Sequence, residues 1–420
     1  MPDTRHFQPS PPGGTPAAGQ SFRPRFSSRL PATLAPNRLT RAIERLRTQG
    51  TPFIDLTETN PTRVGAYPDG LLTPLADPAG LTYAPAPRGA AVAREAIAIA
   101  YVRRGLDVDP SQVVVTASTS EAYGFLFKLL CDPGDEVLVP TPSYPLFEHL
   151  TGLEAVRPVA YRLDYHGAWR IDFASVERAL SPRSRALLIV SPNNPTGSCL
   201  TRGELDRLVD ICRTHGIALI GDEVFADYPL TDRRPERPED RPSSVLAQRD
   251  VLTIALGGLS KSVGLPQLKL GWMVVAGPAD AQAAALDRLE WIADTYLSVS
   301  TPVQLAAPAL LDAGHAVRTW IQHRITGNLH ALARAVAQAP ACTLLAPDAG
   351  WSAVVRVPAI VSEEELVMDL LEQNRVLVAP GYFYDFDTEA FVILSLLPRP
   401  DEYLDGVTRL LQRVTGLVRT

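Results

Sequence analysis

Six short, continuous apolar runs punctuate the middle of the chain: Val113–Val115, Glu136–Val139, Ala186–Val190, Ile217–Ile220, Val251–Leu256 and Leu270–Val275. Several are separated by stretches of helical periodicity, notably 120–130, 202–214 and 281–296. A strand that is apolar on both sides must be covered on both sides. The alternation therefore restricts the chain to an α/β architecture, a mostly parallel sheet sandwiched by helices. Ligands of such sheets sit outside the carboxyl ends of the strands, so the residues just past the end of each run carry the functional information.

The first run is followed by Ser118-Thr119-Ser120-Glu121, the second by Pro142-Ser143-Tyr144, and the third by Pro192-Asn193-Asn194-Pro195-Thr196-Gly197. The fourth ends in Asp222-Glu223 and the fifth runs into Ser260-Lys261. Hydroxyls, an aromatic ring, an amide, a carboxylate and an amine thus converge on one rim. An isolated loop lysine is usually a solvated charge. Near apolar walls, however, the neutral amine of Lys261 is favoured, which suits it to form an imine with a carbonyl.

Ser118 is placed to cap a helix beginning near Ser120, with Glu121 completing a capping box. The plain reading is a cap and nothing more. The alternative is that the free N–H groups and the Ser120 hydroxyl bind a phosphate, with Lys269 adding a point charge. A planar cofactor would stack on Tyr144. Asp222 would pair with a protonated ring nitrogen, and Asn194 would donate to a phenolic oxygen. Together these describe pyridoxal 5'-phosphate held as a Schiff base on a lysine.

The rest of the chain is organised around this region. With 420 residues it can bury more than one core, and the boundaries read as an arm at 1–35, an early part of a small domain at 36–75, a large domain at 76–310 and a C-terminal small domain at 311–420. In the last of these, helical stretches at Val303–Leu311 and Val317–Gln338, broken or bent near Gly327, precede strands at Trp351–Val357, Val376–Val378 and Phe391–Leu396 and a helix at Glu363–Gln373. Acidic residues number 46 against 40 basic ones, which argues against a nucleic-acid partner. Neither the four cysteines nor the seven histidines have metal-like spacing, so no metal is expected. No apolar run reaches membrane-spanning length and the start of the chain has no signal core, so a cytoplasmic protein is expected.

TASTSEA (116–122), PTPSYPLF (140–147), SPNNPTG (191–197), DEVFADY (222–228) and SKSVGLPQLKLG (260–271) together resemble the class I/II aminotransferases of the fold-type I pyridoxal-phosphate enzymes, over roughly residues 50–400. The resemblance implies a large parallel-sheet domain with a smaller α+β domain. It implies an aminotransferase that moves an amino group from an amino acid or amine to a 2-oxo acid through an aldimine on Lys261. It assigns Asp222 to the pyridine nitrogen, Tyr144 to stacking, Asn194 to the ring oxygen, and Thr119 and Ser120, flanked by Ser118, to the phosphate. Ser260 and Lys269 join the cofactor contacts. Tyr83, in LTYAPAPRG, matches a tyrosine extended to the partner subunit's phosphate, which implies a homodimer.

Departures from the family pattern matter as much. Phe225 stands where a tyrosine usually donates to the ring oxygen, with Tyr228 as a candidate substitute. Lys269 replaces a phosphate-binding arginine and Gly258 a frequent serine. Ile393 occupies the place of the arginine that grips the substrate carboxylate, leaving Arg399, Arg356 and Arg63 as candidates. The Tyr382-Phe383-Tyr384 cluster either shapes a substrate pocket or packs as core and hinge. Loss of that arginine keeps open a lyase, a decarboxylase or an intramolecular replacement enzyme using the same cofactor. A non-catalytic cofactor sensor is a third class, disfavoured because residues 1–50 hold no helix-turn-helix of sufficient length.

Overall fold

In the computed structural model, residues 25–31, 33–65, 67–230, 240, 242–297 and 299–419 are described. The expected arm at 1–35 therefore lies largely outside the described residues. The strands, in chain order, are β1 (Ile54–Asp55), β2 (Val113–Thr116), β3 (Glu136–Thr141), β4 (Arg157–Tyr165), β5 (Trp169–Ile171), β6 (Ser184–Val190) and β7 (Ala218–Asp222). They continue with β8 (Thr253–Gly258), β9 (Gly271–Ala276), β10 (Thr343–Leu345), β11 (Ser352–Arg356), β12 (Val376–Leu377), β13 (Ala379–Pro380) and β14 (Phe391–Ser395).

The large sheet has eight strands in the order β2-β9-β8-β7-β6-β3-β4-β5. Strands β8, β7, β6, β3 and β4 run parallel to one another. Strand β9 is antiparallel to both β8 and β2, so β2 points the same way as β8. The carboxyl ends of β2, β3, β6, β7 and β8 consequently share one edge, and β9 begins on that edge. Every residue of β2, β3, β7, β8 and β9 is buried, as continuous apolar runs require when helices cover both faces.

The antiparallel edge strand β5 and its partner β4 were not legible in the sequence. Along β4, exposed and buried positions mix without the continuous apolar character of the central strands. The helices over 120–130, 202–214 and 281–296 are present as Thr119–Leu130, Arg202–His215 and Ala279–Tyr296.

The smaller sheet is antiparallel, in the order β10-β11-β14-β13. The early segment lies beside it: β1 pairs with β12 as a separate two-stranded parallel sheet, and Ser395, at the end of β14, donates its N–H to the Leu56 carbonyl at 2.7 Å. Of the expected break or bend, the break is absent. Residues 303–338 contain no break near Gly327, because a single 37-residue helix, Thr301–Ala337, runs through it. It keeps a buried stripe that includes Val317, Ile321, Ile325 and Leu332. The roughly 1 kcal/mol that a helical glycine costs is outweighed by that packing. The helix also passes without interruption through residues 310 and 311. The C-terminal helix Pro400–Arg419 packs against it and was not anticipated. Among the described residues, no helix is long and apolar enough to cross a membrane.

Candidate active site

The shared edge of the large sheet assembles the rim. The helix Thr119–Leu130 follows β2 and is capped by Ser118, whose Oγ accepts from the Glu121 N–H at 3.1 Å. The expected capping box is not closed. The Glu121 carboxylate reaches one residue further back and accepts from the Ala117 N–H at 2.6 Å. First-turn N–H groups at Thr119 and Ser120 are left for an outside partner, since a helix has none of its own for them. Gly271, the first residue of β9, lies against this helix start. A Cβ there would come within 2.8 Å of the Ser118 carbonyl carbon and 3.0 Å of the Thr119 nitrogen, so only glycine permits the approach. Two residues earlier, Lys269 is exposed and left-handed at φ 53°.

Asp222 ends β7 as a buried carboxylate. Its Oδ2 accepts from the Tyr123 hydroxyl at 2.8 Å and its Oδ1 from the Val224 N–H at 3.2 Å. Burial raises its pKa, opposed in part by those two hydrogen bonds and by the charge of Lys261. Tyr123 was missed by sequence reasoning. It is a polar residue on the buried face of its helix, but its partner lies 99 residues away.

Lys261 sits in a one-turn helix, Leu259–Ser262, directly after β8. Three side chains pin the carbonyls of this turn. The Tyr228 hydroxyl donates to the Lys261 oxygen at 2.5 Å, Arg318 to Ser262 at 3.0 Å, and the Tyr67 hydroxyl to Gly264 at 2.6 Å. Tyr228 is fully buried and spends its proton on the backbone, so it is not the replacement donor that the sequence allowed for. The half-buried lysine carries its Nζ 4.9 Å from the ring centroid of Trp351 and 5.2 Å from that of Phe225, and these two rings meet edge to face. Burial lowers the amine's pKa to about 8, with Asp222 pulling the other way. The whole chain contains only three lysines. Lys128 is paired with Glu154 on the outer surface and Lys269 is exposed, so Lys261 is the one lysine set among aromatic rings at a strand end.

The remaining rim residues come from two loops. Asn193 is buried and acts as a brace: its amide donates to the Pro142 carbonyl and to Thr196 Oγ1, each at 2.9 Å, and accepts from Ser143 Oγ at 3.0 Å. The neighbouring Asn194 is half-buried, and its Oδ1 accepts from Ser352 Oγ at 3.2 Å. Tyr144 is exposed next to this brace, and Ser143 N–H is tied to the Tyr384 carbonyl at 3.0 Å. Of the Tyr382-Phe383-Tyr384 cluster, the first two rings pack edge to face at 4.9 Å. Ser260 is half-buried in the lysine turn. Tyr83 is 70% exposed.

The three nominated arginines are all exposed. Arg63 is exposed and paired with Glu58 at 3.2 Å. Arg356 is exposed at the end of β11, beside a hollow shared with Arg162 and Asp387. Arg399 is exposed just before the C-terminal helix; burial, and after it the charge of Arg399, lower the pKa of Arg324. Ile393 is 2% exposed and pairs in register with Val354, wholly part of the core.

The amine of Lys261 gives a direct test of this environment. Its pKa near 8 lies below the ordinary 10.5, so between those values the unfolded chain binds more protons than the folded one. Stability of the cofactor-free protein is therefore expected to rise with pH through that window, and a Lys261→Met variant should lose this rise. With three lysines in all, NMR of the reductively ¹³C-methylated protein should show one resonance titrating near pH 8, absent in the variant.

A sequence profile of the aminotransferase class I and II family matches residues 56–398. Among characterised relatives, the glutamate-pyruvate aminotransferase AlaA of Escherichia coli (strain K12) is 27% identical over 383 residues, covering 89% of this chain and 93% of its own. The arginine-pyruvate transaminase AruH of Pseudomonas aeruginosa is 30% identical over 322 residues, 76% of this chain and 79% of its own. Among solved structures, an aminotransferase from Escherichia coli superposes with a TM-score of 0.83 at 24% identity, covering 94% of this chain and 99% of that one. An alanine aminotransferase from Pyrococcus furiosus gives 0.82 at 24%, with 93% and 100% coverage.

Proposed function

The chain belongs to the class I and II aminotransferase family, and from that premise we propose how its residues divide the work. The protein is a pyridoxal-phosphate-dependent enzyme of fold type I that transfers amino groups between amino acids and oxo acids. The observation that carries the assignment of roles is one of charge. Asp222 is a buried carboxylate held by a hydroxyl and an N–H but, among the described residues, by no paired cation, and the only enclosed lysine lies near it. That donor set fits the cofactor: a cationic ring nitrogen supplies what Asp222 lacks, and the open helix start at Thr119 and Ser120 suits a phosphate.

When bound, the cofactor supplies a carbonyl carbon that takes up and returns the amino group and a pyridinium ring that draws electrons from the substrate Cα. Lys261 would hold the cofactor at its carbonyl carbon and, once displaced there by the substrate amine, would be the neutral base placed to take the proton from the substrate Cα. Asp222 keeps the ring nitrogen cationic, and Tyr123 holds that carboxylate in place. Tyr144 covers one face of the ring, and Asn194 donates to its phenolic oxygen. Ser118, Thr119, Ser120, Ser260 and Lys269 surround the phosphate, Lys269 as a point charge without the fork of an arginine. Tyr83 acts on the partner subunit of a homodimer. Supporting this, Tyr83 is 70% exposed and Leu81, close to it in sequence, is 92% exposed.

The donor is proposed to be an amine or amino acid whose carboxylate is not gripped by an arginine on β14, because Ile393 lies there instead. Pyruvate is the proposed acceptor, since both named relatives use it. Borohydride reduction followed by peptide mapping should place the reduced cofactor on Lys261; a label on Lys128 or Lys269 would contradict the assignment. Half-reaction spectra with a panel of donors should show aspartate and glutamate reacting several-fold to hundreds-fold less efficiently than the preferred donor. Without an acceptor, oxo product should stop at about one equivalent per active site; with one, it should accumulate over many turnovers. Rapid, saturable reaction with aspartate or glutamate would remove the weight placed on Ile393.

A further inference from the structure

Asn194 is the polar side chain assigned above to the ring oxygen of the cofactor, and its carboxamide has one side-chain partner among the described residues. Its Oδ1 accepts from the hydroxyl of Ser352, the first residue of β11, at 3.2 Å. That hydroxyl has no other partner among the described residues, and Ser352 is 8% exposed. The two residues come from different sheets: Asn194 follows β6 of the large sheet and Ser352 opens a central strand of the small one.

The seat of Ser352 is built by backbone rather than by side chains. The N–H groups of Asp348 and Ala349 both donate to the Gly197 carbonyl at 3.0 Å. Gly197 is left-handed, and a Cβ on it would meet the Ala349 oxygen at 2.6 Å. The segment leading into Ser352 is thus held directly against the loop that carries Asn194. A carboxamide accepts only at Oδ1 and donates only at Nδ2. A hydroxyl that donates to Oδ1 therefore leaves Nδ2 facing the other way as a donor, which is the end an anionic ring oxygen requires. Phe225 offers no hydroxyl, and that of Tyr228 is engaged by the Lys261 carbonyl. The amide orientation accordingly carries more of the burden here.

We propose that Ser352 is a positioning residue that fixes the Asn194 amide with its N–H₂ toward the cofactor's ring oxygen, so that the small sheet sets the electronic state of a cofactor bound on the large one. The proposal rests on the placement of Asn194 at that oxygen. Its signature is the midpoint pH of the holoenzyme's visible absorbance transition, which a purely structural serine would not move. A ring oxygen deprived of its donor retains a neighbouring proton more firmly, so the midpoint rises.

The experiment titrates absorbance in Ser352→Ala, Ser352→Thr, Asn194→Ala and the Ser352→Ala/Asn194→Ala double variant, each as the full-length holoenzyme. The expected result for Ser352→Ala is an upward shift of roughly half a pH unit, about a threefold change in the equilibrium. Ser352→Thr keeps the hydroxyl and should remain near the original midpoint. Asn194→Ala should shift further in the same direction, and the double variant should match Asn194→Ala alone. A shift from Ser352→Ala that persists undiminished in the Asn194→Ala background overturns the proposal. So does an unmoved midpoint in Ser352→Ala when Asn194→Ala does shift, an outcome that leaves the placement of Asn194 intact. If neither single variant moves the midpoint, the placement of Asn194 falls and the proposal with it.

Discussion

Strand direction governs this molecule. Because β2, β3, β6, β7 and β8 all point the same way, five chemically different loops emerge along one edge of a single sheet. The antiparallel β9 is the element that makes this useful at the phosphate end. It begins on the same edge, brings Lys269 there, and through Gly271 lets its backbone approach the start of the helix after β2. Reversing any one of these directions would carry its residue to the opposite end of the sheet.

At that edge, two buried charges are held in an unfinished state. Both Asp222 and Lys261 are driven toward neutrality by burial, and each only partly relieves the other. The aromatic rings of Phe225 and Trp351 flank the half-buried lysine and offer it a weak electrostatic surface. An arrangement of this kind is destabilising for an empty protein, and a ligand bringing a cation to Asp222 and a carbonyl to Lys261 would resolve it. The small sheet contributes by contact rather than by charge, through Ser352 on Asn194 and the Tyr384 carbonyl on Ser143.

Much of this was legible in the sequence because it is local. Continuous apolar runs identify the central strands, and the residues just past them are read directly from the chain. The edge pair β4 and β5 lacks that signature, and its mixed burial resembles a loop in one dimension. The C-terminal helix Pro400–Arg419 and the unbroken Thr301–Ala337 are decided by packing against each other, which overrides the local penalty at Gly327. The supporting residues were invisible for a different reason. Tyr123 meets Asp222 across 99 positions and Ser352 meets Asn194 across 158, and neither partner marks the other in sequence.

The central claim is that Asp222 holds the cofactor's ring nitrogen as a cation. The ¹⁵N chemical shift of ring-labelled pyridoxal phosphate in the holoenzyme tests it without relying on turnover. The account predicts a protonated pyridinium signal that moves to the neutral pyridine range in Asp222→Ala. A neutral pyridine signal in the unaltered enzyme, or a pyridinium signal that survives the substitution, would contradict it.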